Sequence, residues 1–273
     1  MTKLDLLRNE LGRLVKEGVV VAFSGGVDSS LILKLACEEG DKVGKQVRAV
    51  TLDTKLHPVS DVDISKRVAQ EMGALHTILK INEFENPAIL NNPIDRCYQC
   101  KKTLFSFLLD FAKENGLKYV VDGTNGDDLN TYRPGIKALR ELGVISPLAK
   151  LGISKEEVRA MAKELGISVA TRPSAPCMAT RIPYNTKLDL EVLEKIDKGE
   201  QYIRSLGFPV VRLRLHKDVV RLEVKKEDLP RLLEEGDRIV KYLKDLGFIY
   251  ITMDLEGFRS GCMDIYVDKK SFS

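Results

Sequence analysis

Residues 24–30, Ser-Gly-Gly-Val-Asp-Ser-Ser, put two glycines, one carboxylate and three hydroxyls into seven consecutive positions. An uninterrupted apolar run over 19–23 stops where they begin, and an apolar-periodic segment follows at once. Such a stretch between a buried strand and a helix suits an anion. Gly25 and Gly26 carry no Cβ to block an approaching phosphate, and the next helix offers unpaired N–H groups with partial positive charge. Ser24, Ser29 and Ser30 add hydroxyl donors. Asp28 alone would repel phosphate, so its presence favours a bridging Mg²⁺ ion. The stretch is neither G-x-x-x-x-G-K-[ST] nor G-x-G-x-x-G, and no lysine stands in it. That argues against a P-loop kinase and a dinucleotide dehydrogenase. A glycine-containing βα turn without a ligand is the plain alternative.

A second group of residues is sulfur. Cys97 and Cys100 form a C-x-x-C pair just ahead of an amphipathic segment marked by Leu104, Leu108, Phe111 and Ala112. A helix there puts Cys100 near its N-terminus, where the dipole favours thiolate. Cys177 lies far off in TRPSAPCMATRIPYNT, whose Pro173, Pro176 and Pro183 enforce a non-helical loop. Three thiolates can hold three corners of an iron–sulfur cubane and leave the fourth iron open for an extra sulfide. Two alternatives stand beside this. One is structural zinc with His57, His76, His216 or Cys37 as fourth ligand; the other is three unligated thiols. Cys37 falls inside an amphipathic segment and reads as core, and Cys262, beside Gly261, has no visible partner.

Composition bounds the partners. The 273 residues carry 43 basic and 40 acidic side chains, a net charge of +3, too balanced for a polyanion-binding surface. With no tryptophan and 6% aromatic residues, an extended base-stacking face is not expected, and neither is a nucleic-acid partner. No segment approaches about 18 uncharged apolar residues, so no membrane span is expected. The first residues lack the apolar stretch of a signal peptide, which points to the cytoplasm. There five cysteines are reduced, and the odd count fits metal or thiol chemistry better than a disulfide framework.

The elements that must position these residues follow from periodicity. Leu4, Leu7, Leu11 and Leu14 recur at helical spacing. Strands are expected over 19–23, 47–52, 76–81 and 119–121. Between them, Ile64, Val68 and Met72 mark a helix that Ser60 can cap and Gly73 ends, and Ser154 with Glu157 forms a capping box for a helix closed at Gly166. This alternation predicts an α/β fold, a doubly wound parallel sheet, over residues 1–185. Residues 186–273 predict a smaller α+β domain: a helix over 188–206, strands over 210–215 and 219–224, a long helix over 227–246, then strands over 249–254 and 263–267. Asn125, Asp127 and Asp128 follow a strand end, where a ligand crevice is expected, and either serve that ligand or make a turn. Arg212 and Arg214, two apart on a strand, share one face and can pair on a phosphate, or form a solvated face.

SGGVDSS resembles the PP-loop of ATP pyrophosphatases, which implies cleavage of ATP between its α and β phosphates with the loop holding pyrophosphate. Together with DGTNGDD, SPLAKLGISKEEVR, RPSAPCMATRIPYNT and VRLRLHKDVVRLEV, it resembles the LarE family of ATP-dependent sulfur transferases over nearly the whole chain. The resemblance implies nickel-pincer nucleotide synthesis for lactate racemase. It implies adenylation of the carboxylates of pyridinium-3,5-biscarboxylic acid mononucleotide and their conversion to thiocarboxylates. Some members sacrifice a single cysteine at the position of Cys177. Others hold a [4Fe-4S] cluster on three cysteines, and Cys97, Cys100 and Cys177 make this sequence similar to the second type, with a separate sulfide donor. Arg212, Arg214 and Arg181 are then substrate-phosphate ligands, and Glu200, Glu223 and Asp228 match positions that bind a divalent metal. A surface role is the alternative for these acids. The family implies a homo-oligomer, a hexamer. Rival functions are a tRNA thiolase of the 2-thiocytidine type, an ammonia-using PP-loop ligase such as an NAD or GMP synthetase, and a non-enzymatic adenine-nucleotide sensor.

Overall fold

The structure, a computed structural model, describes residues 1–58, 60–130, 134–173, 176–259 and 261–264. Backbone contacts divide the chain into two units, Met1–Asn86 with Asp95–Ala175, and Pro87–Ile94 with Pro176–Ser273. The division falls about ten residues before the expected boundary. It also assigns a short excursion, Pro87–Ile94, to the second unit.

The first unit opens with α1 (Lys3–Lys16), capped by Thr2 in a box with Asp5. Next come β1 (Val19–Ala22), α2 (Val27–Lys42), β2 (Arg48–Thr54), α3 (Ser60–Glu71) and β3 (Leu75–Ile81). After the excursion follow α4 (Arg96–Glu114), β4 (Tyr119–Val121), α5 (Pro134–Glu141), α6 (Pro147–Lys150) and α7 (Lys155–Glu164). All four strands are parallel, in the order β3-β2-β1-β4. The chain winds from β1 outward through β2 to β3, then crosses to the other side of β1 for β4. The order therefore reverses between β1 and β4, and a crevice opens beyond their carboxyl ends. The strands are rich in β-branched residues. At the centre of the crossover, β1 and β4 are largely buried because helices cover both faces, whereas edge strand β3 is half-buried. Leu7, Leu11, Leu31, Leu35 and Val158 pack on one face, and Leu104, Leu108 and Leu139 on the other. Cys37 lies in the first of these cores, as expected.

The second unit comprises α8 (Leu190–Ser205), the strands β5 (Val211–His216) and β6 (Val219–Val224), helices α9 (Leu229–Glu234) and α10 (Gly236–Asp245), and β7 (Tyr250–Met253). Its sheet order is β5-β6-β7, antiparallel and then parallel. The single helix expected over 227–246 is two helices. Pro230 occupies the first turn of α9, and the Glu235-Gly236 junction carries the residue whose helical cost is about 1 kcal/mol. The strand expected over 263–267 is not formed at its start. Cys262–Asp264 make a 3₁₀ turn held by side chains, with Tyr184 Oη donating to Asp264 Oδ1 at 2.8 Å. The rest of that stretch lies outside the described residues.

Candidate active site

The turn between β1 and α2 is built as a cradle. Gly25 sits at φ +67°, and a Cβ there would stand 3.1 Å from both the Cα and the N of Ser65, so no other residue fits without strain. Gly26 caps α2 in an extended conformation with no side-chain bond of its own. Ser29 Oγ lies 3.2 Å from Ser24 Oγ, accepts from Ser24 N–H at 3.3 Å and donates to Gly26 O at 3.1 Å. Ser30 is fully buried, and its Oγ has no hydrogen-bond partner. A buried hydroxyl without a partner is costly, and in a phosphate loop an oxygen atom delivered by a ligand would supply one.

The crevice joins this turn to the chain leaving β4. A Cβ on Gly123 would come within 3.0 Å of Ser29 N and 3.1 Å of Asp28 Cβ, so the two loops are packed against each other. Asn125, which sequence reasoning left open between ligand and turn, closes the turn and also reaches Asp28. Its Oδ1 accepts from Asp127 N–H at 3.0 Å, and its Nδ2 donates to Asp28 Oδ1 at 3.2 Å. Two residues at the crevice were not foreseen. Lys155, the first residue of α7, bonds Asp28 Oδ2. Arg172 donates to Gly25 O at 3.3 Å and pairs with Asp61 at 2.6 Å. Both come from segments more than 120 positions away in sequence, and only the parallel sheet brings them to the turn.

The cysteines divide between the units. Cys97 and Cys100 lie one turn apart at the start of α4, half-buried, and Arg96 Nη2 donates to Cys97 Sγ at 3.4 Å. Cys177 belongs to the second unit and precedes the 3₁₀ turn Met178–Arg181. Its carbonyl accepts from Thr180 Oγ1 at 2.8 Å and Arg181 Nη1 at 3.3 Å. Among the described residues, no three His, Cys, Asp or Glu side chains stand together as a metal site.

The second unit's charges pair with one another. Arg181, 1% exposed, makes a two-pronged bond to Glu200, 0% exposed. Glu200 also accepts from Arg204 at 2.6 Å and from Leu213 N–H at 3.0 Å. Burial raises the Glu200 carboxyl, but the Arg181 bond and the charges of Arg181, Arg204 and Arg212 outweigh it and hold the group below its ordinary value. Arg214 makes a second two-pronged bond, at 3.1 Å, to buried Glu223, which Arg221 joins at 3.0 Å. Arg212 lies over the Phe258 ring, and its Nη1 donates to Val211 O. Burial, followed by the repulsion of Arg181, lowers its guanidinium to about 10.

Glu200 and Glu223, the two acids expected to hold a divalent metal, are thus each gripped by arginines. Guanidinium groups already occupy both oxygens of each, and a cation there would leave buried arginines unpaired. Asp228, the third acid of that set, sits in the turn before α9. Cys262 also departs from expectation, because it has partners. Its Sγ donates to Glu223 Oε1 at 3.2 Å and accepts from Arg214 Nη2 at 3.5 Å.

Comparison with known proteins gives the lineage. A model of the asparagine synthase family matches residues 5–160. The chain is 39% identical over 247 residues to the pyridinium-3,5-bisthiocarboxylic acid mononucleotide synthase of Lactiplantibacillus plantarum, covering 90% of this chain and 88% of that one. It is 37% identical to the Synechocystis protein slr1717, over 98% of this chain and 99% of that one. In fold it is similar to the NMN synthetase of Francisella tularensis, with a TM-score of 0.50 at 16% identity over 73% of this chain and 85% of that one. The chain is thus an ATP-dependent enzyme with a PP-loop, and it belongs to the LarE family.

Proposed function

We propose that the protein is an ATP-dependent sulfur transferase that converts the two carboxylates of pyridinium-3,5-biscarboxylic acid mononucleotide into thiocarboxylates. The turn at 24–30 supports this most directly, because it sets backbone N–H groups, hydroxyls and one unsatisfied buried oxygen at the β1/β4 switch point. In this reading a substrate carboxylate oxygen attacks the α-phosphorus of ATP, and the bond to the bridging oxygen breaks toward pyrophosphate. The amides and hydroxyls of 24–30 take the charge that develops on the leaving group. Asp28 fits a Mg²⁺ ion by donor chemistry, and that ion would neutralise phosphate charge. The acyl adenylate then yields to sulfur, and AMP leaves. Covalent activation divides one unfavourable exchange into two feasible steps.

Cys97, Cys100 and Cys177 have the donor chemistry for a [4Fe-4S] cluster, which when bound would carry sulfide taken from a separate donor. Arg212, Arg214 and Arg181 are the proposed holders of the substrate phosphate, with Glu200 and Glu223 fixing the guanidinium planes. The decisive experiment is anaerobic purification followed by iron, acid-labile sulfide and zinc analysis, together with AMP release measured with substrate and sulfide present. Zinc without iron removes the cluster. Ammonia-dependent amide formation, or tRNA binding that persists at physiological salt, removes the assignment to this substrate.

A further inference from the structure

Gly25 and Gly26 give the turn at 24–30 its shape and also its weakness. Two adjacent residues without Cβ leave the peptide between them free to rotate, at a position where its N–H must face an anion. Within the turn that N–H makes one long bond, to Ser24 Oγ at 3.3 Å. The carbonyl of the same peptide is held from outside. Arg172 Nη1 donates to Gly25 O at 3.3 Å, while Arg172 Nη2 donates at 2.6 Å to Asp61 Oδ1 in the first turn of α3. The two side chains are 20% and 16% exposed, so the ion pair lies mostly out of water. The backbone that carries Arg172 is itself clamped. Arg159 of α7 donates to Ala170 O at 2.8 Å and to Arg172 O at 3.0 Å.

We infer that Arg172 is a positioning residue of the phosphate turn, fixing the Gly25–Gly26 peptide from behind and so aiming Gly26 N–H at the pyrophosphate. This role presupposes that 24–30 is a phosphate loop. A trans peptide directs its C=O and N–H to opposite sides, and the described peptide bonds are all trans. A guanidinium on the Gly25 carbonyl therefore lies on the far side of that peptide from the anion. Asp61 meets its charge. Its planar fork reaches carbonyl and carboxylate together, which the compact ammonium of a lysine does not reproduce. Donors aimed before the ligand arrives need no reorganisation when charge develops on the leaving group.

The test uses the full-length protein and inorganic pyrophosphate with Mg²⁺ in fixed excess. Calorimetric titration is run beside amide hydrogen exchange over residues 24–30 without ligand. Arg172→Met is expected to weaken pyrophosphate binding about tenfold and to speed exchange in the turn about tenfold. Arg172→Lys keeps the charge but loses the two-point grip, so its affinity stays within a few-fold of Arg172→Met. Asp61→Asn separates positioning from direct contact, because it strips the guanidinium of its counter-charge. An arginine that touches phosphate then binds it more tightly. A positioning arginine instead loses its own support, so affinity falls several-fold and exchange in the turn quickens. Tighter binding in Asp61→Asn, full rescue by Arg172→Lys, or affinity lost with exchange unchanged overturns the inference. If Arg172→Met does not fold, Asp61→Asn decides alone. A wild-type protein that binds no pyrophosphate removes the phosphate-loop reading as well. Wild-type binding that none of the variants alters removes only the positioning role.

Discussion

Arg181 and Glu200 face each other through two parallel hydrogen bonds, 2.8 and 2.9 Å long, with both side chains out of water. The same guanidinium donates to the carbonyls of Pro176 and Cys177. One ion pair thus ties α8 to the loop that carries the proposed sulfur ligand. Glu200→Gln leaves Arg181 buried without its counter-charge and is expected to cost about 3–5 kcal/mol of unfolding free energy. Urea denaturation followed by circular dichroism measures this, and a loss under about 1 kcal/mol would contradict it.

The pair also sets an acid limit. The Glu200 carboxyl is held below its ordinary value, so its contribution is complete above the unfolded-state value and is lost as pH falls through the lower folded-state value. Wild-type stability is expected to fall with pH below about 4.5, and Glu200→Gln to show a shallower fall over the same window. Parallel profiles for the two proteins would exclude this linkage.

Ser30→Ala separates binding from folding. Its buried hydroxyl has no partner within the protein, so removing it is expected to leave stability unchanged or slightly higher. Pyrophosphate affinity should fall about tenfold, because a hydrogen bond to a charged group contributes about 1.5–3 kcal/mol. Calorimetric titration beside thermal unfolding checks both halves. Gly25→Ala should lose binding and stability together, since its Cβ meets the Ser65 backbone at a positive φ.

Cys97→Ala is expected to abolish multiple turnover under anaerobic conditions with added sulfide and to lose iron. Undiminished turnover in that variant would rule out the cluster. Cys37 serves as the internal control. Burial pushes its thiol up to about 11, so at pH 8 the thiolate fraction is about one part in a thousand. It should resist alkylation by iodoacetamide in the native protein and react once the protein is unfolded.

Much of this was legible in the sequence. The buried strands announced themselves as β-branched runs, the capping box at Ser154 fixed the start of α7, and the turn chemistry of 24–30 pointed to its site. What was hidden depended on long-range placement. Lys155 looked like an ordinary first-turn residue until the parallel sheet set it against Asp28. Glu200 and Glu223 were read as metal ligands through the resemblance alone, and the sequence did not show the arginines that surround them. Cys262 looked solitary for the same reason, since its partners lie 39 and 48 positions earlier on two strands. The break at Glu235-Gly236 was not expected, because the apolar spacing of Leu232, Ile239 and Leu243 runs straight across it.

The excursion Pro87–Ile94 has a consequence for how the polypeptide matures. Asn92, fully buried at φ +51°, donates from its amide to the carbonyls of Ile182 and Pro183, and Leu188 N–H donates to Leu90 O. A ribosome must therefore finish the intervening 80-odd residues before this octapeptide meets its destination. A fragment cut at 176 would begin life missing an internal prop, which makes the carboxyl-terminal third a poor candidate for expression or transplantation as a separate module.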